Sequence, residues 1–221
     1  MRFPAISKVL LILILPLLYF LLISNYIGFN KSFYQEKFSE YRIQNKVPDA
    51  QGIHQKVMYF LIGKNKELPN VFNEREKHHL FDVKNIVSIS TIALYILIAL
   101  FISLAFISGI ILKTPHKIIN FVGNVLVFGG LLTIFLATAL FLAINSNFSS
   151  AFESFHQIFF EKNTYTFNPA NEVIVNLYPE QLFMDLGIKI SKAVLIISAI
   201  AILVGAFLLH KSKRIKRQAK T

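Results

Sequence analysis

Four long apolar stretches, at residues 9–29, 86–112, 118–145 and 188–209, decide most of what this chain can fold into. Each approaches or exceeds the ~20 residues that a helix needs to cross a bilayer. In lipid, only a helix or a closed barrel satisfies every backbone N–H and C=O group. Of the 221 residues, 54% are hydrophobic, above the roughly 45–50% of a soluble domain. The stretches predict a predominantly all-α integral membrane protein, organised as one membrane domain over 1–221. Four transmembrane helices would carry two long loops, 30–85 and 146–187, that together form a cap. Arg2 and Lys8 lead the first stretch as in a signal peptide. That stretch is too long for a signal peptide, and Ser24-Asn25-Tyr26 is a poor cleavage site, so it is expected to persist as a helix.

Charge placement predicts orientation. All 12 acidic residues fall between Glu36 and Asp185, within the two long loops. Lys113 and Lys117 sit in the short hairpin 112–118, and the tail 210–221 is basic with no acid. Positive charge stays on the cytoplasmic side, so both termini and the hairpin are expected in the cytoplasm and the cap outside a plasma membrane. The first loop, with more bases than acids, argues mildly the other way, but long loops obey the rule least. The net charge of +11 raises nucleic-acid binding. A basic tail that abuts a span is better read as a topology anchor on anionic headgroups, so no nucleic-acid partner is expected. Cysteine is absent, which excludes disulfides and thiolate metal sites.

No Asp, Glu, Lys or Arg lies in the middle of a span, whereas pumps, ion-coupled transporters and voltage sensors usually carry such residues there. Gly123, Gly129 and Gly130 in the third stretch are read as permitting close helix packing. Any chemistry therefore belongs to the cap. There, Phe33, Tyr34, Phe38 and Tyr41 recur at helical spacing, as in an amphipathic helix near the membrane surface. A second helical pattern covers 53–62 and closes at Gly63. Asn73 is a candidate N-cap, with Glu76 completing a capping box. The helix it opens runs without a breaker into the second span. His79 and Asp82, three residues apart, share one face of it. In the second loop, Ser149 or Ser150 is a candidate cap, with Glu153 three residues after Ser150. Phe152, Phe155, His156 and Phe159 then form an aromatic stripe. Residues 172–177 fit a short helix or a strand.

His79, oriented by Asp82, fits a general base, or simply an interfacial histidine in a surface ion pair. His156, among phenylalanines, is expected to be desolvated and neutral, or simply a ring at headgroup depth. His78 points elsewhere on the helix. HExxH and HxxxH spacings are absent, so neither a metal nor another cofactor is expected. Walker, GxGxxG and GxSxG motifs are absent too.

Two signatures resemble those of the lipoprotein intramolecular transacylase (Lit) family. The first, E-x-x-H-L-x-D-V-K, runs here from Glu76 through His79 and Asp82 to Lys84. The second, F-H-x-x-F-F, covers Phe155, His156, Phe159 and Phe160, followed by Tyr165, Phe167, Pro169, Pro179, Glu180 and Phe183. The resemblance implies a four-helix membrane enzyme with an extracellular cap and two catalytic histidines, here His79 and His156. It implies transfer of the sn-2 acyl chain of a diacylglyceryl lipoprotein to the α-amino group of that lipoprotein's own N-terminal cysteine, in contact with membrane lipids. Family members usually carry Asn-Asp-x-Trp where this chain has Asn163-Thr164-Tyr165-Thr166, and often Asp at Asn171. Asp82 and Glu76 are the expected supporting residues. Phe152, Phe155, Phe159, Phe160, Tyr165 and Phe183 are the expected walls of a substrate pocket. His156 is the better base because its stripe is more apolar, and the reverse assignment fits almost as well. A non-catalytic cap that binds a lipid or exported partner, and a lipid ester hydrolase, remain alternatives on the residues alone.

Overall fold

A computed structural model describes residues 2–162 and 164–218. Asn163 of the Asn163–Thr166 motif, and residues 219–221 of the basic tail, lie outside the described residues. Among the described residues every regular element is helical: α1 (Arg2–Gly28), α2 (Lys31–Glu40), a 3-10 turn (Ile43–Asn45), α3 (Ala50–Leu61), α4 (Glu74–Leu112), α5 (Pro115–Ser146), α6 (Phe148–Phe159), α7 (Val173–Leu177) and α8 (Glu180–Gln218). Residues 173–177, which fit helix or strand by sequence, are helix. Four helices, α1, α4, α5 and α8, are long and apolar enough to cross a membrane, with 27, 39, 32 and 39 residues. The described chain divides into two compact units.

One unit comprises residues 2–24, 93–142 and 190–218. Leu11, Phe121 and Val125 are buried at its centre, with Phe101, Leu104, Ala105 and Leu112 against them. Many of its apolar side chains point outward, among them Phe106, Phe135, Leu203 and Phe207, as suits helices in lipid. Close packing explains the glycines. A Cβ on Gly123 would meet Leu209 at 2.9 Å and the Gly205 carbonyl at 3.0 Å, and one on Gly130 would meet Ile202 at 2.7 Å. These contacts let the α5 and α8 backbones approach as small residues do in membranes. Ser7 and Ser108 hydroxyls pair at 2.6 Å between α1 and α4. Lys113, at φ +60°, reverses the chain between α4 and α5. Pro115 then opens α5, where a missing N–H costs nothing.

The other unit comprises residues 25–92 and 143–189, so it holds both long connections and the helix ends that flank them. Asn30 caps α2, its side chain accepting from the Phe33 N–H at 3.0 Å. The α2 aromatics turn inward: Phe33, Tyr34 and Phe38 join Val57, Phe60, Leu177 and Leu182 in a single core. Tyr41 donates to Asp185 at 2.5 Å, and Lys37 pairs with the same carboxylate at 2.7 Å, which ties α2 to the start of α8. Asp49 caps α3 from a left-handed conformation. Gly63, at φ +77°, releases the chain just beyond that helix, where an L side chain would be strained.

Candidate active site

The site grows from the first turn of α4. Asn73 Oδ1 accepts from the Glu76 N–H at 2.9 Å, and Glu76 Oε2 accepts from the Asn73 N–H at 2.7 Å. This is the reciprocal capping box that the sequence predicts. Glu76 is also 1% exposed, and its other oxygen accepts from the Ile174 N–H at 2.7 Å. Glu172, at the cap position of α7, makes no side-chain cap bond. The buried carboxylate of Glu76 thus satisfies donors at the starts of two helices, where a negative charge is favoured. It joins α7 to α4 one turn before His79.

The 161–172 connection is pinned by α4 as well. Arg75 Nη1 lies 3.4 Å from Glu172, its guanidinium donates to the Thr166 carbonyl, and the group sits over the Phe167 ring at 5.0 Å. Glu172 closes the clasp by accepting from the Asn168 N–H at 2.6 Å. Phe167 in turn meets the His79 ring edge-on, with centroids 5.3 Å apart.

His79 and His156 come together in this frame. Their rings stack with centroids 6.2 Å apart and planes 19° from parallel. Both are buried, and Phe160 packs on each, at 4.6 Å from His79 and 5.3 Å from His156. His156 Nδ1 lies 2.7 Å from the Phe152 carbonyl. A carbonyl only accepts, so Nδ1 carries the hydrogen and Nε2 is left as the acceptor nitrogen. His79 Nδ1 is buried with no hydrogen-bond partner among the described residues. A buried polar atom left unpaired is costly, and at a site such an atom is available to a ligand.

Asp82 does not support His79 as the sequence reading expected. Its carboxylate lies 3.4 Å from Nδ1 of His78, one turn away. His79 instead turns into the aromatic surroundings of Phe160 and Phe167. The α6 cap also differs: Asn147 accepts from the Ser150 N–H at 3.1 Å, while Ser149 donates to Glu180. Freed from capping, Glu153 accepts from the Tyr165 hydroxyl at 2.9 Å and from Gln157 at 3.0 Å.

Of the expected wall residues, Phe152, Phe155, Phe160 and Tyr165 all touch His156, with centroids 4.3, 5.6, 5.3 and 4.9 Å away. Phe159 packs on Phe155, and both are about half exposed. Phe183 stands one layer back, 5.3 Å from Phe152. The local pattern singles out neither Arg75, which holds the Phe167 ring, nor that ring as a neighbour of His79; Phe167 carried only a motif position. His54 lies apart from this pair, buried 3.0 Å from the Tyr178 hydroxyl and 4.1 Å from the Tyr34 ring. Burial pushes its imidazole down to about 4 because desolvation disfavours the cation. Among the described residues, no group of three or more His, Asp or Glu gathers in a way that would hold a metal ion.

The buried histidine pair lies inside aromatic walls, with His79 on a helix, α4, that runs on into an apolar span. The model of the family described as lipoprotein intramolecular transacylase Lit matches residues 9–183. The chain belongs to the Lit family. Its fold matches the membrane integral Lit from Bacillus cereus with a TM-score of 0.79 at 22% identity, covering 96% of this chain and 99% of that one. A variant of the B. cereus Lit with one histidine replaced by arginine matches with a TM-score of 0.76, also at 22% identity, over 97% of this chain and 95% of that one. An uncharacterized protein of Aquifex aeolicus (strain VF5) is 28% identical over 114 residues, which is 52% of this chain and 47% of that protein. The chain thus spans about half the length of that curated relative.

Proposed function

We propose that this Lit-family chain is a membrane acyltransferase that moves the sn-2 acyl chain of a diacylglyceryl lipoprotein onto the α-amino group of its N-terminal cysteine. The observation that carries the reading is the stacked, buried pair His79 and His156, with the His156 proton held on Nδ1 by Phe152.

The chemistry uses that arrangement directly. The amine nitrogen attacks the ester carbonyl carbon, and His156 Nε2 removes the amine proton as the C–N bond forms. The tetrahedral intermediate collapses by breaking the ester C–O bond, and the same Nε2 returns the proton to the departing glycerol oxygen. Ester and amine become amide and alcohol, with no water and no external reactant. The attack closes a ring of about eight atoms, which is rapid only when the substrate is held folded. Phe152, Phe155, Phe160 and Tyr165 supply walls for that purpose. His79 donates to the developing oxyanion, and its Nδ1, without a partner among the described residues, gives it an atom to offer. A covalent acyl-enzyme is not needed.

The charge pattern supports a multi-pass plasma-membrane arrangement with both termini in the cytoplasm. The unit that holds the two long connections would then be an extracellular cap. Its exposed Phe155 and Phe159 suit an apolar lipid substrate that arrives from the bilayer.

The test is fragmentation mass spectrometry of N-terminal lipopeptides from a host that makes diacylglyceryl lipoproteins and lacks N-acylation of its own. Expression of this chain is expected to place one acyl chain on the cysteine nitrogen at unchanged intact mass. Release of free fatty acid with no amide would replace transfer by hydrolysis.

A further inference from the structure

Intramolecular transfer requires the substrate's α-amino group, an ammonium at neutral pH, to reach His156 before it reacts. The aromatic walls offer that cation little. One carboxylate is built beside them. Glu153 lies on α6 three residues before His156, hence on the same face, and is exposed. Tyr165 donates to its Oε1 at 2.9 Å, and Gln157 donates to the same oxygen at 3.0 Å. The Tyr165 ring packs 4.9 Å from His156. One aromatic side chain therefore touches both the carboxylate and the histidine. Among the described residues, no lysine or arginine forms an ion pair with Glu153. Asn147 caps α6 through the Ser150 N–H, so helix initiation does not need Glu153.

We infer that Glu153, held by Tyr165, is the docking group for the α-ammonium of the substrate's N-terminal cysteine and delivers the amine to His156. The inference rests on the transacylase reading and deepens it. Oε1 is oriented by two neutral donors, which leaves the remaining acceptor capacity of the carboxylate for a cation. A charge-assisted N–H···O bond forms there, and the Tyr165 face adds a cation–π contact. The bound ammonium passes its first proton through His156 Nε2 to solvent, and the emptied Nε2 then takes the second as the C–N bond forms. Glu153 is a binding residue and Tyr165 a positioning residue.

The probes are two ether-linked diacylglyceryl-type lipopeptides, which cannot transfer a chain. One has a free α-amine and the other is N-acetylated. Binding of each to the full-length protein in lipid nanodiscs is measured alongside turnover of the ester substrate. The wild type is expected to favour the free amine by about tenfold. Glu153→Gln is expected to erase that preference and leave N-acetyl binding unchanged. It should raise KM for the ester substrate about tenfold, with kcat changed far less. Glu153→Asp keeps the charge and should restore part of the preference, as a merely structural role would not. Tyr165→Phe should fall between wild type and Glu153→Gln. A wild type that turns over ester substrate while Glu153→Gln keeps its amine preference overturns the inference and leaves the transacylase reading intact. A wild type that prefers the free amine but moves no acyl chain upholds the docking group and overturns the transacylase reading.

Discussion

His79 and His156 stack at 6.2 Å, yet their Nδ1 atoms differ: that of His156 is bonded to a carbonyl, and that of His79 is buried without a partner among the described residues. Two similar rings therefore have different tasks available. His156 has a fixed tautomer and one nitrogen left to accept a proton, as a proton shuttle needs. His79 has an unsatisfied atom that a reacting group can engage.

Their variants should differ accordingly. His156→Asn keeps a polar side chain and loses proton exchange, so transfer should fall by about a thousandfold or more. His79→Gln keeps a donor of similar reach, so the loss should be nearer a hundredfold. Time courses of amide formation on a synthetic diacylglyceryl lipopeptide give both values. Near-normal transfer by His156→Asn would exclude it as the base.

Glu76 and Asp82 should separate cleanly. Glu76→Ala leaves the Asn73 and Ile174 N–H groups without their acceptor and detaches α7 from α4. The cost should be about 3 kcal/mol, seen as a lower Tm in detergent, with transfer reduced in step because α7 and His79 share that anchor. Asp82 faces His78 in a pair whose side chains are 31% and 66% exposed. Asp82→Asn should change stability by less than about 0.5 kcal/mol and leave transfer close to wild type. A large loss of transfer in Asp82→Asn would restore it as a partner of His79.

How much of this was legible depends on sequence distance. The spans are runs of local composition and could be read directly. So could the Asn73–Glu76 box, whose two halves lie three residues apart. The second bond of Glu76, to Ile174, crosses 98 residues, and no local pattern encodes it. Asp82 had two histidines within a turn, at three and four residues. Phe160 and Phe167, distant in sequence, decide the choice by drawing His79 among themselves. The α6 cap was misplaced because Asn147, Ser149 and Ser150 are all good caps within four residues. The motif positions marked His79 and His156, while the clasp by Arg75 and Glu172 emerges only once the chain is folded.

The helix packing among the spans has its own test. A side chain at Gly205 would strike Val127 at 2.8 Å and the Gly123 carbonyl at 2.9 Å, and backbone cannot yield cheaply. Gly205→Val should cost about 1–3 kcal/mol, read as a lower Tm and a poorer size-exclusion profile in detergent. A Cβ at Gly109 meets nothing within 4 Å, so Gly109→Ala should stay within about 1 kcal/mol of wild type. Equal effects from the two would mean that α5 and α8 do not cross at Gly123 and Gly205.

His54 should make the stability of the core it shares with Tyr34 and Phe38 depend on pH in a definite direction. Burial holds its folded-state imidazole down at about 4, against 6.5 when solvated. Between these values the unfolded chain binds the extra proton, so stability rises with pH across that window. The contribution is fully present above 6.5 and is lost as pH falls toward 4. The whole interval is worth about 3 kcal/mol. Below 4 both states are protonated and no further loss comes from this group. His54→Phe retains the packing against Tyr34 and Phe38 but cannot titrate, and it leaves the Tyr178 hydroxyl without its partner. The variant should therefore melt lower at neutral pH, yet lose less Tm than wild type between pH 6.5 and 4. Thermal melts of both proteins across that range give the comparison. Parallel curves would show that His54 does not carry the acid sensitivity.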